Sequence, residues 1–248
     1  MLYQAELLPD ISALDGRPAA GMIAQADRMG KRGPAASPLH YDGTPMQELL
    51  LASQNPGKLN EMRLLVEGLP FHVVGPREVG LDEAPEETGS SFLENARIKA
   101  QYYARRSGLL TVADDSGLSV DALSGAPGLY SSRFGGEGAS DLDRDLLLLE
   151  KLARVPPERR GARFTSAVVL ARGDRVLFEA QESVEGRIAE AMRGENGFGY
   201  DPLFFYPPLE RTFGELPRAE KDRVSHRGKA FARLRAFLAS LPGDDPGR

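Results

Sequence analysis

The chain has 248 residues, 41% hydrophobic and 27% charged, enough for one large or two small domains with an ordinary core. It has no cysteine, which excludes disulfides and thiolate metal sites, and three histidines are too few for a histidine-rich zinc site. A net charge of −5 argues against non-specific binding to duplex nucleic acid, no apolar run approaches a membrane span, and the N-terminus lacks a signal pattern, all consistent with a cytoplasmic protein.

Residues 1–45 hold five Gly and five Pro with little periodicity and read as a poorly ordered N-terminal extension; the folded domain is expected over 46–248. Residues 49–52 form a short apolar strand. Over 57–69, Leu59, Met62, Leu65, Val66 and Leu69 recur at helical spacing. Residues 71–74 are a second strand, and 76–89 an acidic loop. Ser91 with Glu94 three residues on is a capping-box pattern that opens a helix to about Ser107. The next strand, from Leu109, runs into Asp114-Asp115-Ser116-Gly117. A helix over 141–154 carries Leu146, Leu147, Leu149 and Leu152. Strands 163–171 and 176–184 join at Gly173-Asp174, a hairpin signal. A short strand over 201–205 and a closing helix over 225–241, with Phe231, Leu234, Phe237, Leu238 and Leu241, complete the pattern. Alternating strands and helices plus a hairpin predict an α/β fold with a mixed sheet.

The acid pair carries the first chemical signal. A buried strand is expected to deliver Asp114 and Asp115 to its C-terminal edge, where ligands bind in open α/β sheets. Neighbouring carboxylates repel, and a divalent cation relieves the repulsion. A magnesium-dependent hydrolytic site and a polar turn capped by Asp and Gly are both open on this segment alone. Ser53-Gln54-Asn55-Pro56-Gly57-Lys58 lies between strand and helix, where backbone N–H groups and a lysine attract phosphate; a plain turn with an Asn cap is the alternative. It is not a Walker A loop, since Leu59 stands where the metal-binding hydroxyl would be.

Glu94 and Lys99 are five apart, a poor ion-pair spacing; on these residues alone Lys99 reads as a solvated surface lysine. In Asn196-Gly197-Phe198-Gly199-Tyr200-Asp201-Pro202, aromatics alternate with glycines and end in a carboxylate, a pattern suited to stacking a base and accepting from its N–H. Lys221 precedes Ser225-His226-Arg227-Gly228-Lys229, and cations in a first helical turn oppose the helix dipole, so an anion or a carbonyl is their expected partner. His40 lies in the extension and His72 begins a strand, so no Ser–His–Asp triad suggests itself.

From Glu48 to about Leu241 these blocks, together with Glu87-Thr88-Gly89, Phe92 to Lys99 and Gly125-Ala126-Pro127-Gly128, resemble the inosine/xanthosine triphosphate pyrophosphatase family in order and spacing. Ser53 stands where many members carry Thr, and 1–45 has no counterpart. The resemblance implies a mixed β-sheet with flanking helices in two lobes around a deep central cleft. It implies a cytoplasmic homodimer that needs Mg²⁺ and hydrolyses ITP, dITP and XTP to the monophosphate and pyrophosphate, keeping them out of DNA and RNA. Carried over, Asp115 is the general base and a metal ligand, Glu87 a second metal ligand, and Asp114 supports them. Ser53, Gln54, Asn55, Pro56, Gly57, Lys58 and Lys99 hold the triphosphate, with Lys58 also catalytic. Ser116 touches substrate, Phe198, Gly199, Tyr200 and Asp201 form the base pocket, and Lys221, His226 and Arg227 read the purine. A pyrophosphatase for other damaged nucleotides, such as methylated pyrimidines, and an inactive nucleotide-binding module are the competing readings. Binding to nucleic acid or membrane is not expected.

Overall fold

The computed structural model describes residues 46–240; the expectations for 1–45, for His40 and for Leu241 lie outside the described residues. Strand β1, Gln47–Leu51, pairs in parallel with β2, Phe71–Val74, and with β3, Leu110–Val120. Its apolar residues do not alternate with polar ones because both faces of the sheet are covered there. Helix α1, Pro56–Leu65, starts after Asn55, whose Oδ1 accepts from Lys58 N at 3.0 Å. Helix α2, Phe92–Ser107, ends at Gly108 in the left-handed region. Only half of its expected capping box forms. Ser91 Oγ accepts from Glu94 N at 3.2 Å, but the Glu94 carboxylate accepts from Ser90 N and Oγ, both at 2.7 Å.

β3 does not stop at the acid pair. It continues to Val120 because β4, Gly161–Arg172, supplies an antiparallel ladder, with Asp114 opposite Val168 and Asp115 opposite Ala167. β4 turns at Gly173-Asp174 into β5, Arg175–Ile188, and β6, Phe204–Tyr206, and β7, Arg211–Thr212, finish the sheet in the order β2-β1-β3-β4-β5-β6-β7. The parallel partner β1 ends at Leu51, opposite Val112, so the acid pair follows directly where β1 gives out. Asp201 sits in the turn before β6, not in the expected strand.

Three helices follow the acid pair: α3, Asp141–Lys151; α4, Arg218–Val224; and α5, His226–Ser240. Helices α1 and α5 cover one face of the sheet, packing Met62, Phe231 and Leu234 on Leu49, Leu51, Val112 and Leu170. Helix α2 covers the other, packing Ala96, Ala100 and Tyr103 on Leu50, Ala113 and Val169. The far halves of β3, β4 and β5 build a separate core around Phe164, Val184, Phe204 and Phe213. The buried apolar residues along α3 are Leu148 and, at its C-cap, Leu152, while Leu146, expected inside, is half exposed. The i, i+4 pair Leu148 and Leu152 defines the inward stripe and rotates Leu146 outward. Helix α4 was not expected, since five of its seven residues are charged and only Ala219 and Val224 are apolar. No helix among the described residues is long and apolar enough to cross a membrane.

Candidate active site

Successive strand residues point to opposite faces of a sheet, and this separates the acid pair. Asp114 shares the α1/α5 face with Leu110 and Val112, and Asp115 shares the α2 face with Ala113. The expected mutual repulsion is therefore relieved by geometry, and each carboxylate has its own cations. Asp114 accepts from Ser166 Oγ at 2.5 Å and from Ser116 Oγ at 3.2 Å, and pairs with Lys58 Nζ and Arg227 Nη2, each at 3.2 Å. Burial alone would raise its pKa; Arg227 and then Lys58 hold it well below the usual carboxylate range. Its oxygens are thus engaged by protein side chains on the face away from Asp115.

On the other face, Lys99 Nζ lies 2.7 Å from Asp115 Oδ1 and 3.1 Å from Glu87 Oε1. Asn95 Nδ2 donates to Asp115 Oδ2 at 3.3 Å, and Arg133 reaches the second oxygen of Glu87 at 3.0 Å. Lys99 is therefore not the solvated lysine that residue spacing suggested. Burial lowers its pKa, but Asp115 and Glu87 raise it above the ordinary value. Among the described residues no cluster of three or more His, Cys, Asp or Glu could hold a metal. Asp115 and Glu87 nevertheless already flank one cation, and they are hard oxygen donors. Mg²⁺ is commonly held by one or two carboxylates, with substrate phosphates and water completing the shell, so the pair fits it.

Ser53, Gln54, Asn55 and Lys58 line the same pocket as Glu87, Lys99, Asp114 and Asp115. Pro56 and Gly57 do not line it; Pro56 begins α1, and a Cβ on Gly57 would come within 2.9 Å of the Phe198 ring. Gly57 is what lets that ring lie against the turn. Asn55, Lys58, Ser116 and Ser132 belong also to a second pocket, so the two adjoin. The second pocket brings together Phe198, Gly199, Tyr200, Asp201, Lys221, His226 and Arg227. Tyr200 is buried and donates its hydroxyl to Ser131 O at 2.8 Å, which makes it a wall. Asp201 Oδ2 accepts from Phe198 N at 2.8 Å and from Lys221 Nζ at 2.6 Å, closing the aromatic loop on itself.

Sequence reasoning missed Glu61. It is 5% exposed on α1 and pairs with Lys221 Nζ at 2.8 Å and with Arg227 Nη1. Burial raises its pKa, but Arg227 and Lys221 bring it to about 2. Arg227 Nη2 also donates to Ser116 Oγ at 2.7 Å. The guanidinium is thus held from both ends, and its buried Nε has no partner among the described residues. His226 stacks on Phe164, with ring centroids 4.6 Å apart and 10° between planes, and its Nδ1 is likewise buried without a partner. Burial and then Arg227 push its pKa well below the ordinary value, so the imidazole is neutral at pH 7. Ser225 Oγ accepts from Gly228 N at 3.1 Å, the N-cap that the sequence implied.

Asp145 on α3 was also unforeseen. It is buried, its Oδ1 has no partner among the described residues, and burial followed by Asp141 and Asp201 pushes its pKa up to about 7. The unfolded carboxyl titrates near 4, so the folded state holds the proton more tightly and loses stability as pH rises from about 4 to 7. Asp145→Asn is expected to raise the melting temperature at about pH 8, by an amount on the order of 2–4 kcal/mol in stability, and to raise it much less at about pH 5. An equal offset at both pH values in a thermal melt would show that the charge is not the cause.

A mixed sheet that opens where a parallel strand ends, with an acid-and-cation pocket running into an aromatic one, defines a protein built to take a polyanion and a flat ring together. The chain belongs to the Ham1 family, whose model matches residues 49–237. It is 43% identical over 197 residues to the dITP/XTP pyrophosphatase of Exiguobacterium sibiricum, covering 79% of this chain and 100% of that one. It is 47% identical over 199 residues to the dITP/XTP pyrophosphatase of Methylococcus capsulatus, covering 79% and 98%. Among solved structures, a HAM1 protein from Coxiella burnetii superposes with a TM-score of 0.72 at 42% identity, over 79% of this chain and 100% of that one. The resemblance drawn from the sequence motifs is borne out, and the mixed α/β sheet with it.

Proposed function

We propose that this protein is a Mg²⁺-dependent pyrophosphatase of non-canonical purine nucleoside triphosphates (ITP, dITP and XTP), cleansing the nucleotide pool as a cytoplasmic homodimer. Its domain begins at about residue 46. The observation that carries the reading is that the two pockets adjoin, sharing Asn55, Lys58 and Ser116, so that one ligand can place phosphates at one end and a ring at the other. The relatives' names point to the same chemistry.

The phosphate end has Ser53, Asn55, Lys58 and Lys99 as donors. Across the whole cleft, however, six cations, Lys58, Lys99, Arg133, Arg144, Lys221 and Arg227, face six carboxylates, Glu61, Glu87, Asp114, Asp115, Asp141 and Asp201. A triphosphate brings several more negative charges, so these cations alone leave it undercompensated. Mg²⁺, held by Asp115 and Glu87 with phosphate oxygens, would supply the missing charge and lower the cost of the leaving pyrophosphate. Asp115 is the base: it takes a proton from water as the water oxygen bonds the α-phosphorus, and the bond from that phosphorus to the bridging oxygen breaks. The monophosphate and pyrophosphate leave, and Lys58 and Lys99 hold the charge on the departing oxygens. Asp114 keeps Lys58 and Arg227 in place.

At the ring end, Phe198 stacks the base, and Arg227 and neutral His226 line the same pocket as the groups that pair with it. Inosine and xanthine present a carbonyl at position 6, which accepts such a donor; adenine presents an amino group, which does not. Each buried donor left unpaired costs roughly 1–3 kcal/mol, so two of them give a discrimination on the order of 10²–10⁴ where the costs add. The test is pyrophosphate release from ITP, XTP, GTP and ATP with and without Mg²⁺. Strong release from ITP and XTP only with the metal is expected. Single phosphate as product, or no release from any purine, would overturn the reading and leave a nucleotide-binding module in its place.

A further inference from the structure

Helix α3 opens beside the pocket that Phe198 walls. Asp141, its first residue, accepts from the Gly199 N–H through Oδ2 at 2.7 Å. The same carboxylate is paired with Arg144, whose Nη1 donates to Ala139 O at 2.5 Å and to Ser132 O at 3.2 Å. Asp141, Arg144, Ser132 and Gly199 all line the pocket that contains His226 and Arg227. A chain of hydrogen bonds therefore runs around one side of that pocket, from Ser132 through the first turn of α3 to the aromatic loop.

Helix formation does not require this arrangement. Ser140 already caps α3, with its Oγ accepting from Asp143 N at 3.1 Å and Asp143 Oδ2 accepting from Ser140 N at 2.9 Å. A carboxylate at the first helical position is stabilised by the helix dipole while facing solvent. Asp141 is instead aimed at a backbone donor 58 residues away. That donor sits in a residue with φ of +57°, between Phe198 and Tyr200, so the bond sets where the Phe198 ring lies relative to the opposite wall. The acid-and-cation pocket that contains Glu87 and Asp115 is lined without it.

We infer that Asp141, locked by Arg144, is a positioning residue that holds the Phe198–Gly199 segment at the spacing a purine ring needs, and so governs capture of the nucleobase and not the phosphate chemistry. The inference rests on the purine triphosphate reading above. Loosening the loop weakens stacking while the water, Asp115 and the phosphates keep their places.

The experiment is steady-state pyrophosphate release from ITP by the full chain, wild type, Asp141→Ala and Asp141→Asn, with inorganic tripolyphosphate as a competitor that lacks a base. Asp141→Ala is expected to raise KM for ITP about tenfold with kcat within about twofold and the tripolyphosphate inhibition constant unchanged, the loss of one charge-assisted hydrogen bond. Asp141→Asn keeps an acceptor for Gly199 and is expected to recover KM to within about threefold of wild type, which a helix-dipole role for the charge would not allow. An unchanged KM, a parallel change in the tripolyphosphate constant, or a fall in kcat alone overturns the inference while wild-type turnover leaves the purine reading standing. Absence of wild-type turnover on ITP overturns both. Should Asp141→Ala fail to fold, Arg144→Gln, which unlocks the carboxylate without removing it, is expected to give a smaller rise in KM by the same readout, and no rise overturns the inference.

Discussion

Asp115→Asn is expected to lower kcat for pyrophosphate release from ITP by about 10³-fold or more while nucleotide binding stays measurable. The substitution keeps the shape of the side chain and can keep its contact with Asn95 Nδ2, now 3.3 Å from Oδ2. It removes the only charge on β3 that faces Lys99 and Glu87, and with it both proton acceptance and half of the proposed magnesium ligation. Lys99 Nζ, 2.7 Å from Asp115 Oδ1, keeps Glu87 at 3.1 Å as its partner, so the local fold should hold. Single-turnover pyrophosphate release and calorimetric titration with ITP separate the two quantities. A kcat within about tenfold of wild type would remove Asp115 from the role of base, since general-base catalysis contributes about 10²–10⁴. The neighbouring Asp114→Asn makes the contrast sharp, because its carboxylate serves Lys58 and Arg227 on the other face and its loss should weaken binding as much as turnover.

That contrast was available in the sequence and depended on one rule. The chain advertises the acid pair plainly, but reading two adjacent carboxylates as mutually repelling neglects the two-residue period of a strand, which sends Asp114 to α1 and α5 and Asp115 to α2. Strands β1, β2, β4 and β5 and helix α2 were legible because their apolar residues recur with the right period and Ser91 and Gly108 mark the ends of α2, whereas the two-residue β7 is too short to show a period. The short α4 was not, because a charged seven-residue helix has no apolar period to find. Lys99 was misread from local spacing, since its partners Glu87 and Asp115 are 12 and 16 residues away and meet it only through the fold. Motif resemblance placed Lys99 in the pocket where spacing had not. Asp141, Arg144 and Asp145 escaped both routes: in the sequence they look like the solvated, acidic first turn of a helix.

Glu61 escaped for a related reason, and its removal should have the largest effect on stability. Leu59, Met62, Leu65 and Val66 mark the apolar positions of α1, and Glu61 beside Met62 reads as a polar residue facing water. The partners that reveal it, Lys221 and Arg227, lie 160 and 166 residues further on. Glu61→Ala is expected to destabilise the protein by about 3–5 kcal/mol, because it leaves two buried cations with too little countercharge. The shift of its carboxyl from the ordinary 4.5 to about 2 supports the same size, about 3 kcal/mol at one pKa unit per 1.36 kcal/mol. The sign follows from the direction: stability from Glu61 is fully present above about pH 4.5 and is lost as pH falls toward 2, because the unfolded chain takes up the proton first. Urea denaturation at about pH 7 should therefore rank wild type above Glu61→Gln above Glu61→Ala, and the gap between wild type and the Gln variant should narrow at about pH 4. A Gln variant within about 0.5 kcal/mol of wild type at neutral pH would mean that Asp114 and Asp201 suffice for both cations. The functional consequence runs through Arg227. Glu61 holds Nη1 while Asp114 and Ser116 hold Nη2, and that two-ended grip fixes the guanidinium in the wall of the pocket proposed for the base. A variant that folds without Glu61 should therefore lose preference for ITP over ATP before it loses turnover, because the side chain proposed to read position 6 is no longer aimed while Asp115 and Glu87 are untouched.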